Sequence, residues 1–222
     1  MTFVIELNNI GVSFLRSGNL DDAFDSFEVA VELMKQTTAN KEQRAVRRRS
    51  VSQPLSVLRA KYEQGNTKLR GLDKECECFV SKAAIKLLEG VDLANDLWVS
   101  SILLFNFALS LHLMGLKRGK EVLLHKALKL YILSKNLIMQ HLEETEDKGV
   151  TRINTRLMTS ILNNMGHISY ELREYGASRA YFEGLTSMVA QWNARQRQNS
   201  EEFKDLLLNA IVLRQPPAAA SA

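Results

Sequence analysis

Asn8-Asn9-Ile10-Gly11-Val12-Ser13-Phe14-Leu15-Arg16-Ser17-Gly18-Asn19-Leu20-Asp21-Asp22-Ala23-Phe24 is the stretch that decides the fold. Upstream and within it, Phe3-Val4, Leu7, Ile10-Gly11 and Phe14-Leu15 recur at spacings of three and four, which places them on one face of a helix. Ser17-Gly18-Asn19 interrupts the period, and Leu20, Ala23-Phe24, Phe27, Ala30-Val31 and Met34 resume it. Asp21, Asp22 and Asp25 fall where the second helix begins, the end at which the helix dipole favours negative charge. The stretch therefore predicts a helix–turn–helix hairpin.

The same grammar recurs. Asn164-Met165-Gly166, Ser169, Tyr175, Ser178, Phe182 and Leu185 repeat it, and Asn106-Phe107-Ala108, Leu111, Gly115, Ala127, Tyr131 and Ser134 repeat it less cleanly. A small residue where two helices cross, with a bulky one to fill the gap, permits close packing. Gly11 to Ala23 and Gly166 to Ser178 both span 12 residues, whereas Ala108 to Ala127 spans 19. Seven extra residues are thus expected between the middle two helices, around Lys117-Arg118-Gly119-Lys120.

These positions resemble the tetratricopeptide repeat (TPR) consensus. The chain is similar to the divergent, functionally uncharacterised TPR-like proteins of microalgae such as diatoms. The repeat starts are unevenly spaced, so the expected fold is all-α: an irregular TPR-like stack of antiparallel hairpins with a C-terminal capping helix and a disordered basic insertion. Helices are expected near 3–16, 20–36, 96–115, 119–143, 150–172, 175–196 and 201–213. Asn199-Ser200 is the N-cap candidate of the last, with Glu201-Glu202 in its first turn. The organisation is a first hairpin at 1–36, a basic flexible insertion at 37–75, a helical body at 76–213 with hairpins at about 96–143 and 150–196, and a disordered tail at 214–222. Cys76–Gly90 is ambiguous, since Cys76, Cys78 and Val80 alternate while Ala83-Ala84 and Leu87-Leu88 read as helical.

Composition agrees with one globular domain: 222 residues, 45% hydrophobic, 24% charged, three prolines. Two cysteines make no disulfide framework, and nothing near the first residue resembles a signal peptide, so a reducing compartment is expected, the cytoplasm or the nucleus. Leu97–Leu116 carries no formal charge over a length that could span a bilayer. Asn106, His112 and three serines within it favour a buried helix, and no membrane partner is expected.

The net charge of +4 is local. Thr37–Arg70 holds nine basic and two acidic residues, or +7, which leaves −3 for the rest. Within it, Arg47-Arg48-Arg49-Ser50-Val51-Ser52-Gln53-Pro54 suits a basophilic kinase at Ser50 and matches the pattern that 14-3-3 proteins read once Ser52 is phosphorylated. The bland alternative is a solvated basic linker. Contacts from residues 41–70 to nucleic-acid phosphates are the rival functional reading. The lack of an interleaved aromatic before Tyr62 weighs against base stacking, and nucleic acid is not the expected partner.

Asn9, Asn106 and Asn164 occupy the same place in the three hairpins, two residues before the small residue, and would form a row on successive first helices. An amide offers an acceptor and two donors, so such a row can hold peptide main chain irrespective of sequence. Some TPR proteins bind an extended peptide with an asparagine ladder, which is what the resemblance implies here. Asn8 and Asn163 would widen the row, and His167 would add to the groove wall. The competing expectation is that these amides bond neighbouring helices and only fix the stack. The carboxylate clamp of chaperone-type TPR domains is not expected, because its lysine and asparagine sites carry Asn8 and Val12 in the first hairpin and Asn163 and His167 in the third. No catalytic, metal or cofactor motif is apparent: the four histidines are scattered, Cys76-Glu77-Cys78 has the wrong spacing, and Gly119-Lys120 is followed by Glu121 where a phosphate loop needs a hydroxyl. The expected activity is non-enzymatic protein recognition, with a partner's extended or helical segment in the groove.

Overall fold

The computed structural model describes residues 2–47, 79–87, 96–144, 152–196 and 203–214. Seven helices account for nearly all of them: α1 (Thr2–Ser17), α2 (Leu20–Arg47), α3 (Asp96–Arg118), α4 (Glu121–Glu144), α5 (Arg152–Glu171), α6 (Tyr175–Gln196) and α7 (Lys204–Leu213). They pack as antiparallel pairs α1–α2, α3–α4 and α5–α6, and α7 lies against α5 and α6. The pairs join in chain order through α2 on α3 and α4 on α5, and the first helices also touch in sequence, α1 to α3 to α5 to α7. The first hairpin therefore docks on the others despite the long insertion that separates them in sequence.

The small–large code closes each outer pair. A Cβ built on Gly11 would lie 2.6 Å from the Phe27 ring, and one on Gly166 would lie 2.8 Å from Phe182. Both rings are buried, and Ser178 adds a bond from its Oγ to the Gly166 carbonyl at 2.9 Å. Such approach is available only to glycine, because a methyl group would overlap aromatic carbons.

All three hairpins turn in the same way. Gly18 N–H donates to Leu15 O and Asn19 N–H to Phe14 O; Gly119 and Lys120 repeat this with Leu116 and Gly115, and Arg173 and Glu174 with Tyr170 and Ser169. This is the Schellman arrangement, which needs a left-handed residue just past the helix. Gly18 (φ 80°) and Gly119 (φ 60°) meet the need without cost, while Arg173 (φ 63°) meets it with a side chain.

The middle hairpin departs from expectation here. Its connection is as short as the others, so the seven extra residues do not lie between the helices. Four lengthen α3 between Ala108 and Gly119, and three lengthen α4 between Lys120 and Ala127. Each addition is close to one helical turn, so the buried face keeps its direction. Gly115 then allows the extended tip to close, since a Cβ there would meet Leu124 at 2.7 Å.

Other parts of the expected layout also differ. The second helix runs to Arg47, eleven residues beyond the expected end at 36, into the first part of the basic insertion. The remainder of that insertion, with Arg48, Arg49, Ser50 and Ser52, lies outside the described residues, as does the Arg47 side chain. The last helix begins at Lys204, not 201, with Phe203 at the N-cap position and no side-chain cap bond; Asn199, Ser200, Glu201 and Glu202 fall outside the described residues. The ambiguous stretch is not α-helical: Phe79 belongs to a 3-10 turn and residues 81–87 have no helix.

Among the described helices α3 alone is long and apolar enough to cross a membrane. In the fold it is the central helix, packed by α1, α2, α4 and α5, with Val99, Ile102, Leu103, Phe105, Leu109 and Leu113 buried. Its uncharged run is the seam of the stack.

Candidate functional site

An extended segment, Phe79–Leu87, crosses the row of first helices from α7 to α1. It pairs with no strand among the described residues. Asparagine amides take the place of a neighbouring strand. Asn9 accepts from Leu87 N–H at 2.8 Å and donates to Leu87 O at 2.7 Å. Asn106 does the same for Ile85, at 2.9 and 2.8 Å, and Asn164 for Ser81, at 2.7 and 3.1 Å. Each amide thus exchanges both bonds with a single residue, as a facing residue does in an antiparallel ladder. Main-chain groups that would otherwise be buried without partners are satisfied.

The neighbouring amides brace these three. Asn8 Nδ2 donates to Ile85 O at 3.1 Å and to Asn9 Oδ1 at 3.3 Å, and its Oδ1 accepts from Asn106 Nδ2 at 2.8 Å. Asn163 repeats the pattern one unit along: Nδ2 donates to Phe79 O at 2.8 Å and to Asn164 Oδ1 at 3.1 Å, and Oδ1 accepts from Asn209 Nδ2 at 2.9 Å. Asn209 also donates to Phe79 O at 2.9 Å. An Asn-Asn pair on one helix, completed by an asparagine on the next first helix, therefore makes a clamp for two alternate residues. The clamp occurs twice, on Ile85 with Leu87 and on Phe79 with Ser81.

The helix between them, α3, carries Phe105-Asn106 in place of an Asn-Asn pair. Ala83, midway between the clamps, accordingly receives no amide. There the chain turns tightly, Ala84 N–H donating to Lys82 O at 2.8 Å. The turn shortens a step that four fully extended residues would stretch to about 13 Å.

Burial makes these bonds count. Asn8, Asn106, Asn163 and Asn164 are fully buried, while Asn9 is half-buried at the end of the row. Asn164 is oriented from below by Tyr131, whose hydroxyl accepts from Nδ2 at 3.0 Å. Burial pushes the Tyr131 hydroxyl pKa far up, and the Asn164 bond opposes this more weakly, so the group stays neutral.

His167 lies one turn beyond Asn163 on α5, with its ring centroid 6.1 Å from that of Phe79. Its Nδ1 is 3.1 Å from His112 Nε2 on α3, and its Nε2 is 3.4 Å from Glu171 Oε1 without hydrogen-bond alignment. Burial, and secondarily the neighbouring His167, hold His112 well below the usual histidine range. His167 supports Phe79 from beneath and is itself wholly buried.

Of the residues singled out in the sequence, Asn8, Asn9, Asn106, Asn163, Asn164 and His167 come together, while Arg48, Arg49, Ser50, Ser52 and the Arg47 side chain lie outside the described residues. Asn209 and Ser160, whose Oγ receives Ser81 Oγ at 3.0 Å, are additions. An amide in Leu206-Leu207-Leu208-Asn209-Ala210-Ile211 was the available signal for the former. The amides hold extended main chain, but of the protein itself.

No family model, curated protein or solved structure matches this chain. What the site can do follows from its own residues. Among those described, no three His, Cys, Asp or Glu side chains gather as a metal set. The assembled chemistry is that of backbone recognition by neutral amides.

Proposed function

We propose that this protein is a non-enzymatic interaction scaffold, a TPR-like stack whose groove, lined by α1, α3, α5 and α7, binds an extended segment of a partner protein. One observation carries the reading: Asn9, Asn106 and Asn164 each engage both the N–H and the C=O of one residue of an extended chain. Such a ladder needs no particular sequence, so a partner's main chain meets the same donors and acceptors as Phe79–Leu87. The basic segment that follows α2 is the proposed control element. Phosphorylation at Ser50 and Ser52 would each add about −1.5 to −2 charges to it and create a docking point for a 14-3-3-type reader.

Selection of displayed peptides on the full-length protein tests the reading, because multivalent display offsets competition from the internal segment. Peptides enriched on the wild type should be lost on a variant carrying Asn9→Ala, Asn106→Ala and Asn164→Ala that keeps its helicity. Equal enrichment on both proteins would make the asparagines purely structural.

A further inference from the structure

The two clamps read main chain only, whereas the occupant also presents side chains. Ile85 and Leu87 are buried to 2% and 1% exposure, while Lys82, Ala83, Ala84 and Lys86 remain partly exposed. Ser81, gripped by Asn164, also places its hydroxyl 3.0 Å from Ser160 on α5. The amides impose extension and register, and the sites under Ile85, Leu87 and Ser81 supply discrimination.

We infer that Phe79–Leu87 is an internal copy of the ligand. The partner carries an aliphatic residue at each of two positions two apart, seated as Ile85 and Leu87 are, and a small hydroxyl residue four before the first, seated as Ser81 is. It runs from α7 toward α1 and binds by displacing the internal segment. This rests on the groove reading proposed above.

The chemistry of each position supports the assignment. A polar or charged side chain at either aliphatic site would enter the apolar core that Ile85 and Leu87 join, and the nearby amides of Asn8, Asn9 and Asn106 are already engaged by the main chain and by each other. Such a residue would lose its hydration without replacement. Lys86 is only partly buried, so substitution there should have little effect on binding. Displacement is set by mass action. A segment tethered within the same chain competes at an effective concentration on the order of millimolar, which lifts the apparent Kd of an added copy toward that value however tight the intrinsic contact.

The test uses the full chain and a labelled nonapeptide, Phe-Val-Ser-Lys-Ala-Ala-Ile-Lys-Leu, followed by fluorescence anisotropy. The wild type should bind it with an apparent Kd of about 1 mM or weaker. The double variant Ile85→Ala/Leu87→Ala, whose internal copy is weakened, should bind at least tenfold more tightly. A peptide with alanine at both aliphatic positions should bind that variant at least tenfold more weakly than the parent, and a peptide with alanine for Lys86 should match the parent. If parent, alanine and scrambled peptides bind alike, the internal-copy inference fails and the groove reading stands. If none binds a variant that keeps its helicity, both fail.

Should the double variant lose helicity, the wild-type chain is cut after folding at protease sites placed within 48–78 and 88–95. The cut chain should exchange its segment for the parent peptide in the same order of preference. A cut chain that exchanges no peptide, or all peptides equally, overturns the inference.

Discussion

Asn106→Ala removes the central rung of the ladder, and its cost can be worked bond by bond. Asn106 Oδ1 accepts from Ile85 N–H at 2.9 Å, and Nδ2 donates to Ile85 O and to Asn8 Oδ1, each at 2.8 Å. Ile85 O keeps a second donor in Asn8 Nδ2 at 3.1 Å, so its loss is partial. The Ile85 N–H and Asn8 Oδ1 are left buried. An orphaned buried polar group costs about 1–3 kcal/mol, so the two together set the loss at roughly 3 kcal/mol. A loss of that size is about a hundredfold in an opening equilibrium. Hydrogen exchange at the Ile85 amide reads it directly, and denaturant melts report whether the whole stack shares it. The Ile85 amide should exchange about a hundredfold faster in the variant, with Leu87 and Ser81 following. Asn106→Asp is the control for direction: it keeps the acceptor for Ile85 N–H but turns an oxygen toward Ile85 O and Asn8 Oδ1, and should cost at least as much. Exchange at Ile85 that is unprotected in the wild type, or an aspartate variant as stable as wild type, would refute the ladder.

Other perturbations test the frame around the site. Gly11→Ala and Gly166→Ala each place a methyl 2.6 and 2.8 Å from a buried phenylalanine ring and should cost about 1–3 kcal/mol in urea melts; Gly176→Ala, where a Cβ meets nothing within 4 Å, should instead be neutral or gain up to about 1 kcal/mol. Arg173→Gly relieves a left-handed residue at the third turn and should raise stability by about 1 kcal/mol in the same melts. The lowered pKa of His112 means that the unfolded chain takes up a proton which the folded chain refuses, so stability is full above about pH 6.5 and falls on acidification by up to about 1.4 kcal/mol per pH unit. His112→Gln should flatten that slope whatever it does to the plateau, and an unchanged slope would remove His112 as its source. Arg118 bonds the Asp21 carboxylate at 2.5 and 2.7 Å, but both side chains are substantially exposed, so Arg118→Ala should cost less than about 1 kcal/mol.

Much of this molecule follows from local pattern. The spacing of Val4, Gly11 and Leu15, the breaks at Gly18 and Gly119, and the pairing of Gly11 with Phe27 and Gly166 with Phe182 all act over one or two helices, so they are legible in one dimension. Phe3 and Ile10 share the periodicity that points to the same face but lie exposed. Asn9, Asn106 and Asn164 could be aligned for the same reason: each holds a fixed offset from the small residue of its hairpin. The extra turns of α3 and α4 were visible as seven residues, but not as helix, because a loop and a pair of longer helices leave the same count.

What occupies the row of amides was decided only in three dimensions. Phe79–Leu87 has little internal structure of its own; its single tight turn is at Lys82–Ala84, and its alternation competes with a helical reading at Ala83-Ala84 and Leu87-Leu88. Its conformation is imposed by bonds to Asn8 and Asn9, more than seventy positions earlier, and to Asn163, Asn164 and Asn209, more than eighty later. Asn209 likewise looks like an isolated amide in an apolar helix until α7 packs on α5. The sequence alone determined the helices, their pairing and the presence of a polar row. Tertiary packing determined that the row is filled from within, because a main-chain segment without intrinsic preference takes the form of the partners that satisfy its N–H and C=O groups.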